Sequence, residues 1–233
     1  MTTPRPDILA YQREFWNVAD LDTAKFERIC VSQDFRDATP AERERMFRAD
    51  GLAEARRVLA DLPWTRYWKA LEIGCGIGRI ILPLRRWLFA VNGVDIAPNM
   101  VAWSEEYLAG AGHGHVDLTD GALLPNFAEG VYDLVYSVYT FQHIRSAAVV
   151  QSYLSEALRV LRAGGWIRLQ TQLPNARLGT AETEAAPGED FGFSGNAYTA
   201  DEMQALLSTA GFVDAGAVVE NTSLWTTARK ESA

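Results

Sequence analysis

The stretch Leu71-Glu72-Ile73-Gly74-Cys75-Gly76-Ile77-Gly78-Arg79 joins an apolar run to three glycines spaced two apart, and then to a segment with helical patterning. This order reads as a strand, a tight turn and a helix N-terminus. Glycine recurring every second residue lets the backbone take positive φ and lets a ligand approach the main chain, where a side chain would block it. The site suits a nucleotide-sized ligand. A helix beginning near Arg79 would point its unpaired N–H groups into the turn and favour a carboxylate there. Glu72, two residues before the first glycine, can reach an amino group.

A second apolar run, Phe89-Ala90-Val91-Asn92-Gly93-Val94, ends in Asp95, twenty-one residues after Gly74. A carboxylate at the tip of a second strand can accept both hydroxyls of a ribose. Dinucleotide-binding enzymes share that layout, but their fingerprint is G-x-G-x-x-G, and here the spacing is G-x-G-x-G followed by Arg79. Together these residues resemble the class I S-adenosylmethionine (SAM)-dependent methyltransferases. LEIGCGIGR is similar to their first motif, VDIAPNM to the second, and TDGALLP to the acidic loop beside the adenine. VYDLVYSVYTFQHI resembles their fourth strand with its active-site extension, and EALRVLRAGG the helix and turn before the fifth. The resemblance runs over about residues 68–230, and five motifs in order are far more specific than one glycine turn.

The resemblance implies an α/β fold: a Rossmann-like, doubly wound, seven-stranded sheet, mostly parallel, with a C-terminal antiparallel hairpin and an N-terminal helical cap. It implies SAM as cofactor and S-adenosylhomocysteine as product. Glu72, Gly74, Gly76 and Gly78 should then contact the methionine and ribose portion, with Asp95 on the ribose hydroxyls. Ile96 and Met100 should cover the adenine, Asp120 should accept its amino group, and the Gly121 N–H should reach a ring nitrogen. Ser137 would meet the methionine amino group through its backbone. Arg79 is either a carboxylate partner or a solvated helix residue. Phe47, Arg48 and Gly51 precede the first strand where similar proteins line the methionine end.

Along the chain, Ile8, Tyr11, Phe15 and Val18 fall at helical spacing over 7–19, which predicts a helix packed on the core or, by the resemblance, a lid. Residues 34–40 break the pattern, and 41–62 read as one or two helices interrupted at Asp50-Gly51. The expected division is a cap over 1–62 and a core over 63–233. Strands are predicted at 69–73, 89–95, 113–118, 132–137 and 166–172, with helices at 79–87, 99–109 and 147–161. Apolar strands with helical crossovers of this length argue for a parallel sheet. The stretch 174–197 is rich in Gly, Ala, Pro and acids without periodicity, which suits a substrate loop. A helix at 200–210 and strands at 212–220 and 223–229, joined at Asn221-Thr222, close the chain.

The 233 residues carry a formal net charge of -8 with 48% hydrophobic content. That balance argues against nucleic acid, whose binding rests on neutralising phosphates with Lys and Arg. Two cysteines and three histidines without metal-ligand spacing imply neither a disulfide framework nor a zinc site. No run of eighteen apolar residues occurs, so a cytoplasmic protein without membrane attachment is expected.

Methyl transfer from a sulfonium is an in-line displacement, so holding nucleophile, carbon and sulfur in line contributes most. An alcohol nucleophile also needs a base. His143, following the fourth strand, is the candidate, or else a histidine filling a polar gap, and Gln142 would orient the substrate or face the core. His113 and His115 read as surface residues. Tyr11, Phe15, Trp16, Trp64, Tyr139, Phe191, Phe193 and Tyr198 are candidate pocket residues, while Trp68, Trp87, Trp103, Trp166 and Trp225 read as packing. The expected acceptor is a small molecule, a carbohydrate hydroxyl or else the nitrogen or oxygen of another secondary metabolite, by similarity to small bacterial enzymes. Magnesium held by His143 or by acids such as Glu14 or Glu189 is the alternative route to an activated hydroxyl. A nicotinamide-dependent oxidoreductase and a non-catalytic SAM-binding protein are the competing classes.

Overall fold

A computed structural model describes residues 6–29, 35, 37–174 and 195–232. Cys30, Glu189, Phe191, Phe193 and most of the expected loop at 174–197 lie outside them. The elements run α1 (Pro6–Trp16), α2 (Leu21–Thr23) continuing as a π-helical turn (Ala24–Ile29), α3 (Pro40–Leu59), β1 (Lys69–Ile73), α4 (Ile81–Leu84), β2 (Ala90–Asp95), α5 (Pro98–Tyr107) and β3 (Val116–Leu118). They continue with β4 (Tyr132–Val138), a 3-10 turn (Phe141–His143), α6 (Ala147–Val160), β5 (Leu161–Gln172), α7 (Ala200–Ala210), β6 (Val213–Glu220) and β7 (Ser223–Arg229). The strands form a seven-stranded sheet in the order β3-β2-β1-β4-β5-β7-β6. The β1–β2, β2–β3 and β4–β5 pairs are parallel, while β7 runs antiparallel to β5 and β6. The chain falls into two compact units, Gln12–Leu118, and Met1–Tyr11 with Thr119–Ala233.

In the first unit, β1 buries every residue after Lys69, as a strand covered on both faces must. Helix α3 starts where the chain supplies a cap: the Glu42 N–H donates to Thr39 Oγ1, the Thr39 N–H donates to Glu42 Oε2 at 2.9 Å, and Pro40 fills the first turn. The interruption expected at Asp50-Gly51 does not occur, and the helix runs through both residues. Gly51 is there for space, because a Cβ would lie 2.4 Å from the Arg79 carbonyl oxygen. Gly51→Ala is therefore expected to destabilise by about 1–3 kcal/mol through overpacking, outweighing the roughly 0.5–1 kcal/mol that alanine brings a helix. Denaturant unfolding checks the sign. An apolar cluster of Ala24, Phe35, Phe47, Ile77, Ala97 and Met100, with Trp16 and Ile29 packed against it, joins the N-terminal helices to the glycine turn.

In the second unit, the strand predicted at 166–172 begins earlier, at Leu161. Tyr132 pairs with Leu161 and the register then jumps to Leu134 and Trp166, so the residues between bulge out through a left-handed Gly164. Helix α7 opens on a second capping box, Thr199 with Glu202, and stops at Gly211, whose φ is 102°. The hairpin turns at Asn221, as predicted. Trp68 and Trp225 are buried, and Trp87, Trp103 and Trp166 are half-buried.

Candidate functional site

The glycine turn is stitched to the tip of β2. The Gly74 and Cys75 N–H groups donate to the Val94 carbonyl at 2.8 and 3.0 Å. The Gly76 N–H donates to Asp95 Oδ2 at 2.8 Å, and the Ala97 N–H to Asp95 Oδ1 at 2.9 Å. Asp95 is buried. Burial pushes its carboxyl up from the ordinary value, against the backbone N–H groups of Ala97, Gly76 and Ile96, which hold it down. The Gly76 and Ala97 bonds fall on different oxygens, and a carboxylate has about four acceptor positions, so capacity remains for a ligand. Gly74, Gly76 and Gly78 take φ of 73°, 53° and 88°. A Cβ on Gly76 would lie 3.0 Å from Ile29 Cδ1, so the N-terminal segment reaches over the turn. That segment is also tied to α5, where the Asn99 N–H donates to Asn17 Oδ1 and the Asn99 side chain to the Val18 carbonyl, both at 2.8 Å.

The helix predicted from Arg79 to Trp87 is a single turn, Ile81–Leu84. Pro83 has no N–H to give, so it is accommodated only where the first turn would leave that group unpaired. A four-residue helix has little macrodipole, and the anion-binding role expected of its N-terminus falls away. Arg79 is not a solvated helix residue. It is buried and forms an ion pair with Asp50 of α3. Glu72 is buried at the end of β1. Burial, with the charges of Asp95 and Glu72, holds the Cys75 thiol well above its usual range, so it is inert at neutral pH. Ile96 is half-buried, while Met100 and Phe47 belong to the apolar cluster. Arg48 pairs with Glu44 at 2.7 Å.

In the second unit the acidic loop is self-bonded. Asp120 Oδ1 accepts from the Ala122 and Leu123 N–H groups, each at 2.9 Å. The Gly121 N–H, expected to reach a ring nitrogen, instead donates to Thr119 Oγ1 at 3.2 Å. Helix α6 grips this loop from behind. Ser152 Oγ donates to the Ala122 carbonyl at 2.9 Å, Glu156 Oε2 accepts from the Leu124 N–H at 2.9 Å, and Arg159 donates to the Phe127 and Leu124 carbonyls at 2.8 and 2.9 Å. Ser137 is fully buried in β4. Beyond the strand, Gln142 is buried and His143 half-buried, with Gln142 Nε2 3.4 Å from His143 Nε2. Tyr11 is half-buried and its phenol faces Arg145, whose pKa burial pulls down. Tyr198 is buried, bonded to Asn196, rather than lining an open wall. Tyr139, Phe15 and Trp16 are half-buried, and Trp64 is exposed.

The model of the methyltransferase domain family matches residues 71–169, which spans the glycine turn, Asp95, the acidic loop and His143. The match is to a methyltransferase domain, and it covers less than half of the 233 residues. A sterol 4-C-methyltransferase of Caenorhabditis elegans is 31% identical over 98 residues, 41% of this chain and 28% of that protein. A 2-methyl-6-phytyl-1,4-hydroquinone methyltransferase of Synechocystis is 33% identical over 103 residues, 41% of this chain and 29% of that one. The chain thus spans less than a third of these curated relatives. In fold, it is similar to phosphoethanolamine N-methyltransferase 2 of Haemonchus contortus, solved with SAM, at a TM-score of 0.64 and 16% identity, covering 95% of this chain and 60% of that one.

The methyltransferase match leaves out the N-terminal helices and the sheet beyond Leu169. Tyr11, Phe15, Trp16, Asn196 and Tyr198 are therefore features of this chain outside the matched domain. Sequence reasoning missed Glu156, Arg159, Gln170 and Asn196. The one available signal was the Glu156–Arg159 spacing, which puts both on one face of a helix. Among the described residues, no group of three His, Cys, Asp or Glu could hold a metal ion, and Glu14 is exposed. No described helix is long and apolar enough to cross a membrane.

Proposed function

We propose that this chain transfers the methyl group of SAM to a small organic acceptor, with the glycine turn and Asp95 holding the cofactor and His143 serving as base toward the acceptor. The observation that carries the reading is the turn itself. Three glycines take left-handed φ, and the middle one, Gly76, donates its N–H to the buried carboxylate at the tip of β2. When bound, SAM supplies an electrophilic methyl carbon to an electron pair of the acceptor, a lone pair on oxygen or nitrogen or a π pair at carbon, with the carbon–sulfur electrons leaving in line on a neutral thioether. The chain's own work is to hold that line and to take the acceptor's proton. Asp95 binds the ribose hydroxyls through its remaining acceptor positions, Glu72 attracts the methionine ammonium, and Ile96 covers the adenine. Ser137 and the Asp120 loop complete the cofactor contacts by resemblance, and His143 receives the proton.

Asp95→Ala is expected to weaken SAM binding by about 1.5–3 kcal/mol, because the ribose loses a charged acceptor and the Gly76 N–H loses the group that fixes it. Calorimetry on the folded variant checks this.

The acceptor reading is broader than a carbohydrate. The relatives are named for a sterol carbon, a phytyl hydroquinone and the nitrogen of phosphoethanolamine, so the nucleophile is taken as oxygen, nitrogen or carbon of a small molecule. The test is label transfer from methyl-labelled SAM to a panel of sterols, hydroquinones, phenols, amines and sugars. Acceptor-dependent formation of S-adenosylhomocysteine supports the reading. Methylation of sugars alone restores the carbohydrate assignment.

A further inference from the structure

We propose that Gln170 is a positioning residue for methyl transfer: its buried carboxamide holds Tyr139 in a left-handed conformation and so sets the course of residues 139–145, which carry His143. The inference rests on the reading of that segment as acceptor-facing.

Tyr139 follows the last residue of β4 and has φ of 60°. Residues with a Cβ rarely adopt this region, and bulky ones least of all. Such a backbone persists only where its surroundings over-determine it, and such places cluster at functional sites. Here one buried side chain meets the strained residue's backbone directly. The Tyr139 N–H donates to Gln170 Oε1 at 2.9 Å. Both hydrogens of the Gln170 amide are also engaged, one on the Thr171 carbonyl at 3.0 Å and one on Ser223 Oγ at 3.1 Å. That pattern fixes which way the amide faces, since a turned amide would set donor against the Tyr139 N–H. Gln170 has no exposed surface and lies in β5, in register with Val138 on β4 and Trp225 on β7. An apolar side chain would suit that place better unless the amide were well bonded, and here both donors and one acceptor position are engaged.

The far end of the segment is fastened independently. Asn196 donates from Nδ2 to the carbonyls of Ile144 at 3.0 Å and Arg145 at 3.1 Å. Gly195 presses on the middle, where a Cβ would lie 1.6 Å from the Gln142 carbonyl oxygen. With both ends held, a change of φ at Tyr139 cannot be absorbed downstream, so it moves Gln142 and His143. The sheet itself has many other bonds, so a role limited to sheet stability would spread over β4, β5 and β7 alike.

The test uses the full chain bound to S-adenosylhomocysteine, with Gln170→Met, the milder Ser223→Ala, and Gln170→Glu, which keeps an oxygen facing the Tyr139 N–H. Amide exchange by NMR, cofactor affinity by calorimetry and turnover of the acceptor found in the labelled panel are measured together. In Gln170→Met, exchange at 139–145 is expected to rise about tenfold or more, while Ile167 and Leu169 change by less than about threefold. Cofactor affinity should stay within about twofold and the acceptor kcat fall about tenfold with the SAM KM unchanged. Ser223→Ala should move the same residues less, and Gln170→Glu should restore protection at Tyr139. Unchanged exchange at 139–145, or an equal rise across β4, β5 and β7, overturns the proposal. Faster exchange at 139–145 with undiminished turnover overturns the link to methyl transfer. His143→Ala at the wild-type rate would then show that the acceptor-facing reading of the segment had failed, rather than the hold on Tyr139.

Discussion

His143→Ala is expected to lower turnover about 10²–10⁴-fold on an unactivated hydroxyl, the range over which a positioned base contributes. The imidazole stands at the end of the 3-10 turn that follows β4, half-buried, with the buried Gln142 carboxamide 3.4 Å from its Nε2. Carboxyl ends of strands in open α/β sheets are where ligands sit, and His143 is the described histidine placed after one. His113 and His115 lie just before β3, and both are exposed. Because the base acts on the acceptor, SAM affinity should hold in the variant and the loss should fall on kcat. The wild-type rate should drop as acid protonates the imidazole, and that limb should disappear in the variant. A phenol or hydroquinone, already more acidic, would show a smaller loss. An alanine variant that methylates the true acceptor at the wild-type rate, with an unchanged pH profile, would make His143 structural.

Gly76→Val is expected to abolish measurable SAM binding in a protein that still folds. Two independent obstacles coincide at this residue. Its φ of 53° is one that a β-branched side chain hardly tolerates, and even the first carbon of a side chain would meet Ile29 Cδ1 at 3.0 Å. The valine must either displace the N-terminal segment or turn the peptide, and turning it pulls the Gly76 N–H away from Asp95. Both outcomes distort the cradle, while β1 and β2 keep their own ladder. Calorimetry is the measurement, with circular dichroism as the check on folding. Wild-type affinity in the valine variant would mean that the cofactor does not pass the turn.

Much of the fold was legible because its signals are local. The apolar run before Gly74 and the one ending at Asp95 became β1 and β2 almost residue for residue, and the closing helix and hairpin fell where Gly211 and Asn221 placed their ends. The misreadings arose where distant residues decide the outcome. Gly51 looked like a helix break, because nothing nearby in sequence shows that Arg79 occupies the space beside it. The apolar residues around Pro83 read as part of a helix over 79–87, yet the proline permits a single turn.

The candidate site divides in the same way. The glycines and Asp95 were nominated by their spacing, but the bond between the Gly76 N–H and Asp95 joins residues nineteen apart and had no signature. Asp120 was located correctly as a loop acid, while the internal bonding that takes up the Gly121 N–H was not foreseen. Gln170 and Asn196 have partners 31 and 52 residues away, so a polar residue in a strand and an asparagine before a helix carried no visible meaning. Their role emerges only once the sheet brings those segments side by side.

The central claim is that the glycine turn and Asp95 form a SAM site and not a dinucleotide site. Titrating the wild-type chain with SAM in a calorimeter, and separately with NADH, tests it most directly. Saturable uptake of one SAM per chain, displaced by S-adenosylhomocysteine and unaffected by NADH, is the expected result. Saturable binding of NADH with no heat from SAM would contradict it.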